Sequence, residues 1–370
     1  MADNTYPPGS PAGYPVQRRV MISGYYGFDN LGDDLILHVL IAQLKQRHCE
    51  IVVLSNNPQE TRQRFGVEAI HRTSLKEIYL AFETTHLFIS GGGGLLQDST
   101  GPMSVIYYGG LMGLAKFFGL PVCLWAQGIG PLKSWLSRQL VRQVILHVDR
   151  MTVRDQASAA LLGELCDRPV EVTADPVWLL DLPKTVETDP YRQHWTVGLS
   201  LRPWPGLNNE RLKHLLTILS ELARIENRSL QLLLFPFQPK QDVAMFQQLI
   251  ALLRDFPQIT WQKVESRHVI NRIGGCDAFI GMRFHSLILA ILSDVKVWGL
   301  VYDPKVRQML DALGLEGTDI QAMAGLSATQ VGAFWEQYPR VDLEAIRHRA
   351  ARNVAVLDLC LQQEVSPLMM

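Results

Sequence analysis

Late in the chain, "GMRFHSLILAIL" (281–292) sets Arg283 and His285 one residue apart, between an apolar run and a helix-like apolar run. An arginine at the start of a helix makes an anion site, because the guanidinium and the helix N-terminus attract the same charge. A histidine there can also move a proton. Phe284 and Ser286 complete that turn, and "LSLRPW" (199–204) ends a second apolar run on Arg202. Two arginines at neighbouring strand ends suit a small dianion or trianion. The same residues would also serve a structural ion pair and a backbone-satisfied histidine.

Three glycine-rich stretches in the first half offer further groups. "SGYYGFDNLGDD" (23–34) carries Gly27 and Asn30 ahead of Asp33 and Asp34. Open backbone N–H groups before a helix can hold an anion or a sugar hydroxyl. The spacing is not the GxGxxG fingerprint, so no dinucleotide is inferred. The Asp pair equally suits a helix cap. "ISGGGGLLQDST" (89–100) places Gly92 and Gly93 in a run of four glycines, with Asp98 following. Four glycines after a strand permit close backbone approach to a ligand, or make a hinge. "WAQGIGPL" (125–132) brings Gln127 to a further strand end.

The elements that must position these residues alternate between strand-like and helix-like runs. At this spacing they imply parallel sheets covered by helices. We expect a leader over 1–17 and a Rossmann-like domain over 18–180. A polar linker (181–194) follows, then a second Rossmann-like domain (195–340) and a C-terminal helix and tail (341–370). The fold class is α/β, with two such domains facing a cleft. In open α/β sheets ligands lie beyond the carboxyl ends of strands, where all four stretches fall.

Other chemistries find no support. There is no GxSxG elbow, HExxH, P-loop or metal-ligand spacing, so no metal is expected. A formal net charge of -1 argues against a nucleic-acid surface. The five cysteines lie far apart with no CxxC pair, which suits free thiols in a reducing compartment. The first residues lack an apolar signal core, and "VIYYGGLMGLAKFFGLPVCLWA" (105–126) is broken by Gly, Lys and Pro. That segment reads as a buried helix followed by a strand rather than a membrane span. A cytoplasmic location is expected.

Taken in order, "GYYGFDNLGDD", "FISGGGGLLQD", "WAQGIGPL", "VRD", "TADPVW", "LRPW", "FPFQPKQD", "GMRFHSLILA" and "YDPKV" resemble the polysaccharide pyruvyl transferase family, most closely its bacterial CsaB-type members. The resemblance covers roughly residues 18–330. It implies a GT-B-like fold, with phosphoenolpyruvate as donor substrate and no cofactor. The pyruvyl group would pass to a sugar of a cell-wall or envelope polysaccharide precursor, giving a cyclic ketal. In CsaB-type members that sugar is N-acetylmannosamine, in polymers that retain S-layer proteins. Arg283-Phe284-His285 matches the family's Arg-Leu-His donor motif, with Phe for the commoner Leu. Arg202 corresponds to the second donor arginine, and Ser286 joins the donor side. Gly27, Asn30, Gly92, Gly93 and Gln127 fall on the acceptor side. An acidic residue is expected there to orient or deprotonate the acceptor, Asp98 first and Asp33 second. His285 would protonate the enol or hold the departing phosphate. Family logic adds a lipid-linked acceptor and peripheral contact with the inner face of the cytoplasmic membrane. A GT-B glycosyltransferase using a sugar nucleotide, or a non-catalytic glycan binder, would use the same architecture.

Overall fold

The computed structural model describes residues 18–99, 101–182 and 194–363. The expected leader and most of the expected linker lie outside the described residues. The chain forms two compact units. The first takes Asp33–Leu179 with residues up to Phe28 and from Ile346 onward; the second takes Asp29–Gly32 and Leu180–Ala345.

The first unit runs β1 (Arg19–Ser23), α1 (Leu31–Gln46), β2 (Glu50–Ser55), α2 (Pro58–Phe65), β3 (Glu68–His71), α3 (Leu75–Phe82) and β4 (Leu87–Ser90). It continues with β5 (Gly93–Leu96), α4 (Met103–Phe117), β6 (Val122–Ile129), α5 (Trp135–His147), β7 (Arg150–Val153), α6 (Gln156–Leu165) and β8 (Glu171–Val172). Its sheet is ordered β3-β2-β1-β4-β6-β7-β8, with β5 beside β6, and every pairing is parallel. The inner strands are near-continuous apolar runs because helices cover both faces. One core joins Met21, Val52, Phe88 and Leu124 to Ile78, Met112 and Val141 of α3, α4 and α5.

The second unit runs β9 (His194–Ser200), α7 (Asn209–Ile225), β10 (Ser229–Leu234), α8 (Pro239–Leu253), β11 (Thr260–Lys263), α9 (Val269–Ile273) and β12 (Ala278–Gly281). Then come α10 (Phe284–Leu292), β13 (Lys296–Val301), α11 (Pro304–Ala312), β14 (Gly317–Asp319) and α12 (Ala328–Glu336). Its parallel sheet is ordered β11-β10-β9-β12-β13-β14. Caps start its helices: the Asn208 side chain accepts the Arg211 N–H at 3.0 Å, and Asp303 accepts the Lys305 N–H at 3.1 Å ahead of Pro304.

Three expectations change. The last helix, α13 (Leu343–Leu361), is no separate appendage but packs into the first unit. Asn353 is fully buried there: it accepts from Thr173, donates to the Ala174 carbonyl at 2.9 Å, and its own carbonyl receives the Trp125 indole N–H. The tetraglycine is not wholly a loop, since its last two residues open strand β5, where Gly93 pairs with Gln127. The helix read as buried, α4, is buried on one side only. Val105, Met112 and Ala115 face the core, while Ile106 and Phe117 face outward.

Candidate functional site

Both sheets reverse direction of winding beside their first strand, at β1/β4 and at β9/β12. Those switch points are where open α/β sheets bind ligands. Arg202 and Arg283 stand at the second, and Asp33 packs on Gly93 at the first, while Asp98 lies elsewhere.

In the second unit Ser200 pairs with Gly281, so Arg202 and Arg283 each stand two residues beyond a paired strand end. Arg283 occupies the position before α10, which no side chain caps. Its guanidinium donates to the Gln238 side chain at 2.9 Å and forms an ion pair with Asp242. Asp242 is fully buried, and its other oxygen accepts the N–H groups of Phe237 and Gln238 at 3.1 and 2.9 Å. Arg283 therefore already has a counter-ion. No sign in the sequence singles out Asp242. Ser286 donates its hydroxyl to the Arg283 carbonyl at 2.6 Å, a bond that ties the first turn of α10 to the strand end. Gly281 leaves room for it: a Cβ there would lie 2.8 Å from the Ser286 oxygen.

The Phe284 ring meets His285 edge-on, with centroids 5.3 Å apart. His285 rests on Gly32, where a Cβ would come within 2.1 Å of Nδ1. Residues 29–32 are held to this unit by the Leu31 N–H bond to the Phe237 carbonyl (2.8 Å) and the Lys240–Asp29 pair (2.7 Å). Asn30, expected on the acceptor side, accepts the Gly32 N–H at 3.2 Å and so starts α1. The capping role considered for the Asp pair thus falls to Asn30.

Arg202 differs from Arg283. It donates to the Tyr302 hydroxyl at 3.2 Å and lies 5.0 Å from that ring's centroid and 5.9 Å from that of Trp204. No carboxylate pairs with it among the described residues, and its Nε is buried without a hydrogen-bond partner. A guanidinium lying on aromatic faces with no counter-ion can receive an anion.

In the first unit the β1/β4 switch point holds Asp33. Gly93 sits at φ +99, and a Cβ on it would lie 2.8 Å from Asp33 Oδ1. A Cβ on Gly91 would strike the Tyr26 hydroxyl at 2.2 Å. The glycines are thus required by what packs on them. Gln127 is buried and braces this strand, donating to the Gly93 carbonyl at 3.0 Å and accepting from Ser90 at 3.2 Å. Gly92 packs on Ile36, and Gly27 turns at φ +75 over Ser55 and Asn57. Asp34 pairs with Arg64.

Around Asp33 lie hydroxyls with little else to do. Those of Ser23, Tyr26 and Tyr108 are buried without a hydrogen-bond partner among the described residues. Burial first, then the Asp33 charge, holds the Tyr26 phenol well above its ordinary pKa. Burial likewise raises Tyr108, with Arg72 opposing and Asp33 adding. Tyr108 thus lies within the field of both charges. Arg72 was not foreseen. Its guanidinium lies 4.0 Å from the Tyr107 ring centroid, 5.1 Å from Phe28 and 5.7 Å from Tyr108, and Tyr25 stacks on Phe28. It too has no carboxylate partner among the described residues.

Asp98 has a different setting. Its carboxylate accepts the N–H groups of Lys133 and Ser134 at 2.8 and 2.7 Å, ahead of α5. Burial works to raise its pKa, but those N–H groups, the Ser137 hydroxyl and the Lys133 charge outweigh it and bring it below the ordinary value. A carboxylate so engaged anchors a helix N-terminus and is a poor proton acceptor. Among the described residues no cluster of His, Cys, Asp and Glu is placed to hold a metal ion.

Solved structures share the whole architecture at low identity. The UDP-GlcNAc 2-epimerase from Methanocaldococcus jannaschii is 12% identical with a TM-score of 0.61, covering 93% of this chain and 100% of its own. A glycosyltransferase from Rickettsia africae is 12% identical with a TM-score of 0.57, covering 94% and 96%. At that distance they speak for the fold, a GT-B-like pair of Rossmann-like units, and not for substrate. No curated protein matches the chain. The family model for polysaccharide pyruvyl transferase matches residues 30–304, from the Asn30 cap through Arg202 and the Arg283 turn to the start of α11, and the chain belongs to that family.

Proposed function

We propose that the protein moves the pyruvyl group of phosphoenolpyruvate onto two hydroxyls of a sugar in a cell-wall or envelope polysaccharide precursor. The observation that carries the donor assignment is Arg202: a guanidinium without a counter-ion at the β9/β12 switch point, beside the uncapped start of α10. Such a place suits a small molecule bearing a phosphate and a carboxylate. Arg283, neutralised by Asp242, adds geometry more than net charge. It fixes the turn that presents His285.

The reaction needs a proton added to the enol methylene, which makes C2 electrophilic. One sugar hydroxyl attacks C2, and the C2–O bond to phosphate breaks. The second hydroxyl then closes the ketal ring. One hydroxyl proton replaces the proton given to the methylene, and the other leaves with phosphate. We assign His285 to the methylene proton or to the departing phosphate. On the acceptor side we assign the base to Asp33 rather than Asp98, whose lowered pKa and two backbone bonds suit anchoring. Tyr25, Phe28 and Arg72 offer a stacking wall for a sugar ring. Gly92, Gly93 and Gln127 shape the floor beneath Asp33.

The test is phosphate release from phosphoenolpyruvate over a panel of glycosyl acceptors, with the product followed by mass spectrometry. A mass gain for a pyruvyl ketal is expected. Thermal stabilisation by UDP- or GDP-sugars but not by phosphoenolpyruvate would favour glycosyl transfer instead.

A further inference from the structure

The outward face of α4 is unlike that of an ordinary surface helix. Its exposed positions 103, 106, 110, 113 and 117 are Met, Ile, Gly, Gly and Phe. A helix lying on a water-facing sheet normally turns charged residues outward. Met103 and Phe117 are 70% and 73% exposed, and on neighbouring α5 Trp135 is 72% exposed. The helices are contiguous: Gly109 of α4 packs on Val144 of α5, and Tyr79 of α3 meets Phe118 at the end of α4. Leu75, at the start of α3, is 74% exposed. Large apolar side chains massed on one face mark an interaction surface, whereas scattered ones do not.

Over α4 and α5 the charge has one sign. From residue 99 to residue 148 the sequence contains no Asp or Glu, but has Lys116, Lys133, Arg138 and Arg142. Lys116 and Arg138 pair with Asp149 and Glu164, which lie outside that stretch. Lys133 and Arg142 are exposed and form no ion pair among the described residues, although the Lys133 charge is felt by Asp98. On α3, Lys76 is offset by Glu77, and Glu83 follows at its end. A second copy of the chain is a poor occupant, because a two-fold interface would set these cations against themselves.

We propose that the α3–α4–α5 face of the first unit rests on an anionic lipid bilayer. Met103, Phe117 and Trp135 enter the headgroup boundary, and Lys133 and Arg142 meet lipid phosphates. Exposed aromatic and aliphatic side chains flanked by exposed cations are what such a surface recognises. The helix N-termini carrying Leu75, Met103 and Trp135 lie at the carboxyl edge of the sheet, the edge that holds Asp33 and Arg72. An acceptor carried in the bilayer would be met at that edge. The lipid contact itself stands independently of the transfer reaction.

The experiment is flotation of the full chain with vesicles. One set is phosphatidylcholine alone; the other is about three parts phosphatidylcholine to one part phosphatidylglycerol. Flotation with the anionic set is expected, falling at about 0.5 M NaCl as screening shortens the reach of the cations. Trp135→Glu with Phe117→Glu should lower the bound fraction at least roughly tenfold, and Lys133→Glu with Arg142→Glu on the order of tenfold. Melting curves of all variants should match the parent, since these side chains are exposed. Failure to float with anionic vesicles would overturn the proposal. So would a dimer in solution that the same substitutions dissociate. Phosphate release with a water-soluble acceptor tests the transfer reading separately, because none of these residues belongs to the donor or acceptor site.

Discussion

Arg202→Met and Arg283→Met remove the same charge from adjacent strand ends, yet they should fail differently. Losing Arg283 leaves Asp242 as a carboxylate with no exposed surface, held only by two backbone N–H groups. An uncompensated buried charge costs about 3–5 kcal/mol. In a unit of this size each kcal/mol moves the melting temperature by about 2–4 °C, so the second unit should melt roughly 6–20 °C lower. Losing Arg202 removes one hydrogen bond to Tyr302 and its ring contacts, about 1 kcal/mol, and a few degrees at most. Ligand response should be reversed. Phosphoenolpyruvate at about a hundred times its Kd should stabilise the parent by about 2.7 kcal/mol. Arg202→Met should lose that stabilisation while staying folded. Asp242→Asn added to Arg283→Met should restore part of the stability, with a coupling of about 0.5–3 kcal/mol. Calorimetry of the four proteins with and without ligand decides the matter. If Arg202→Met is as unstable as Arg283→Met, or keeps the full ligand shift, the division of labour argued here is wrong.

Asp33→Asn should keep the fold and lower the rate of phosphate release by about 10²–10⁴-fold, with little change in donor-induced stabilisation. Gly93→Ala should cost about 1–3 kcal/mol and lower turnover as well, because the residue sits at φ +99 and its Cβ would press on Asp33; melting and activity measured together check this. Asn353→Ala should cost about 2–4 kcal/mol in urea unfolding of the first unit, since Thr173 and Ala174 lose buried partners. The depressed pKa of Asp98 fixes a sign. Its contribution is full above the ordinary carboxylate pKa and is lost as pH falls through the lower folded value. Asp98→Ala should therefore destabilise at neutral pH and show a shallower loss of stability toward about pH 3.

Strand ends were legible in the sequence wherever the strand was buried on both faces. β9 (HWTVGLS) is buried after its first residue and β12 (AFIG) throughout, so Arg202 and Arg283 could be placed beyond them before the sheet order was known. The edge strands were not legible. β11 is "TWQK", exposed at every residue, and β3 is the four-residue "EAIH", buried only at the adjacent Ala69 and Ile70; neither alternates to produce a period. Without β3 there was no reason to single out Arg72, which stands just past its end. Asp242 was hidden for a related reason. It becomes the partner of Arg283 only because β9 lies between β10 and β12, so that the start of α8 meets the start of α10. The polar run "QPKQD" carries no mark of that adjacency.

α4 shows how a sound rule of reading can stop short. Its composition lacks a polar stripe, and a helix apolar all round is normally enclosed. The structure encloses one side, against the sheet and α5, and leaves the other without protein over it among the described residues. Both statements hold together if the enclosing medium is not this chain. The same apolar outer face that made α4 read as buried is then what a helix lying along a bilayer would need, while Lys116, which counted against a span, is offset by Asp149.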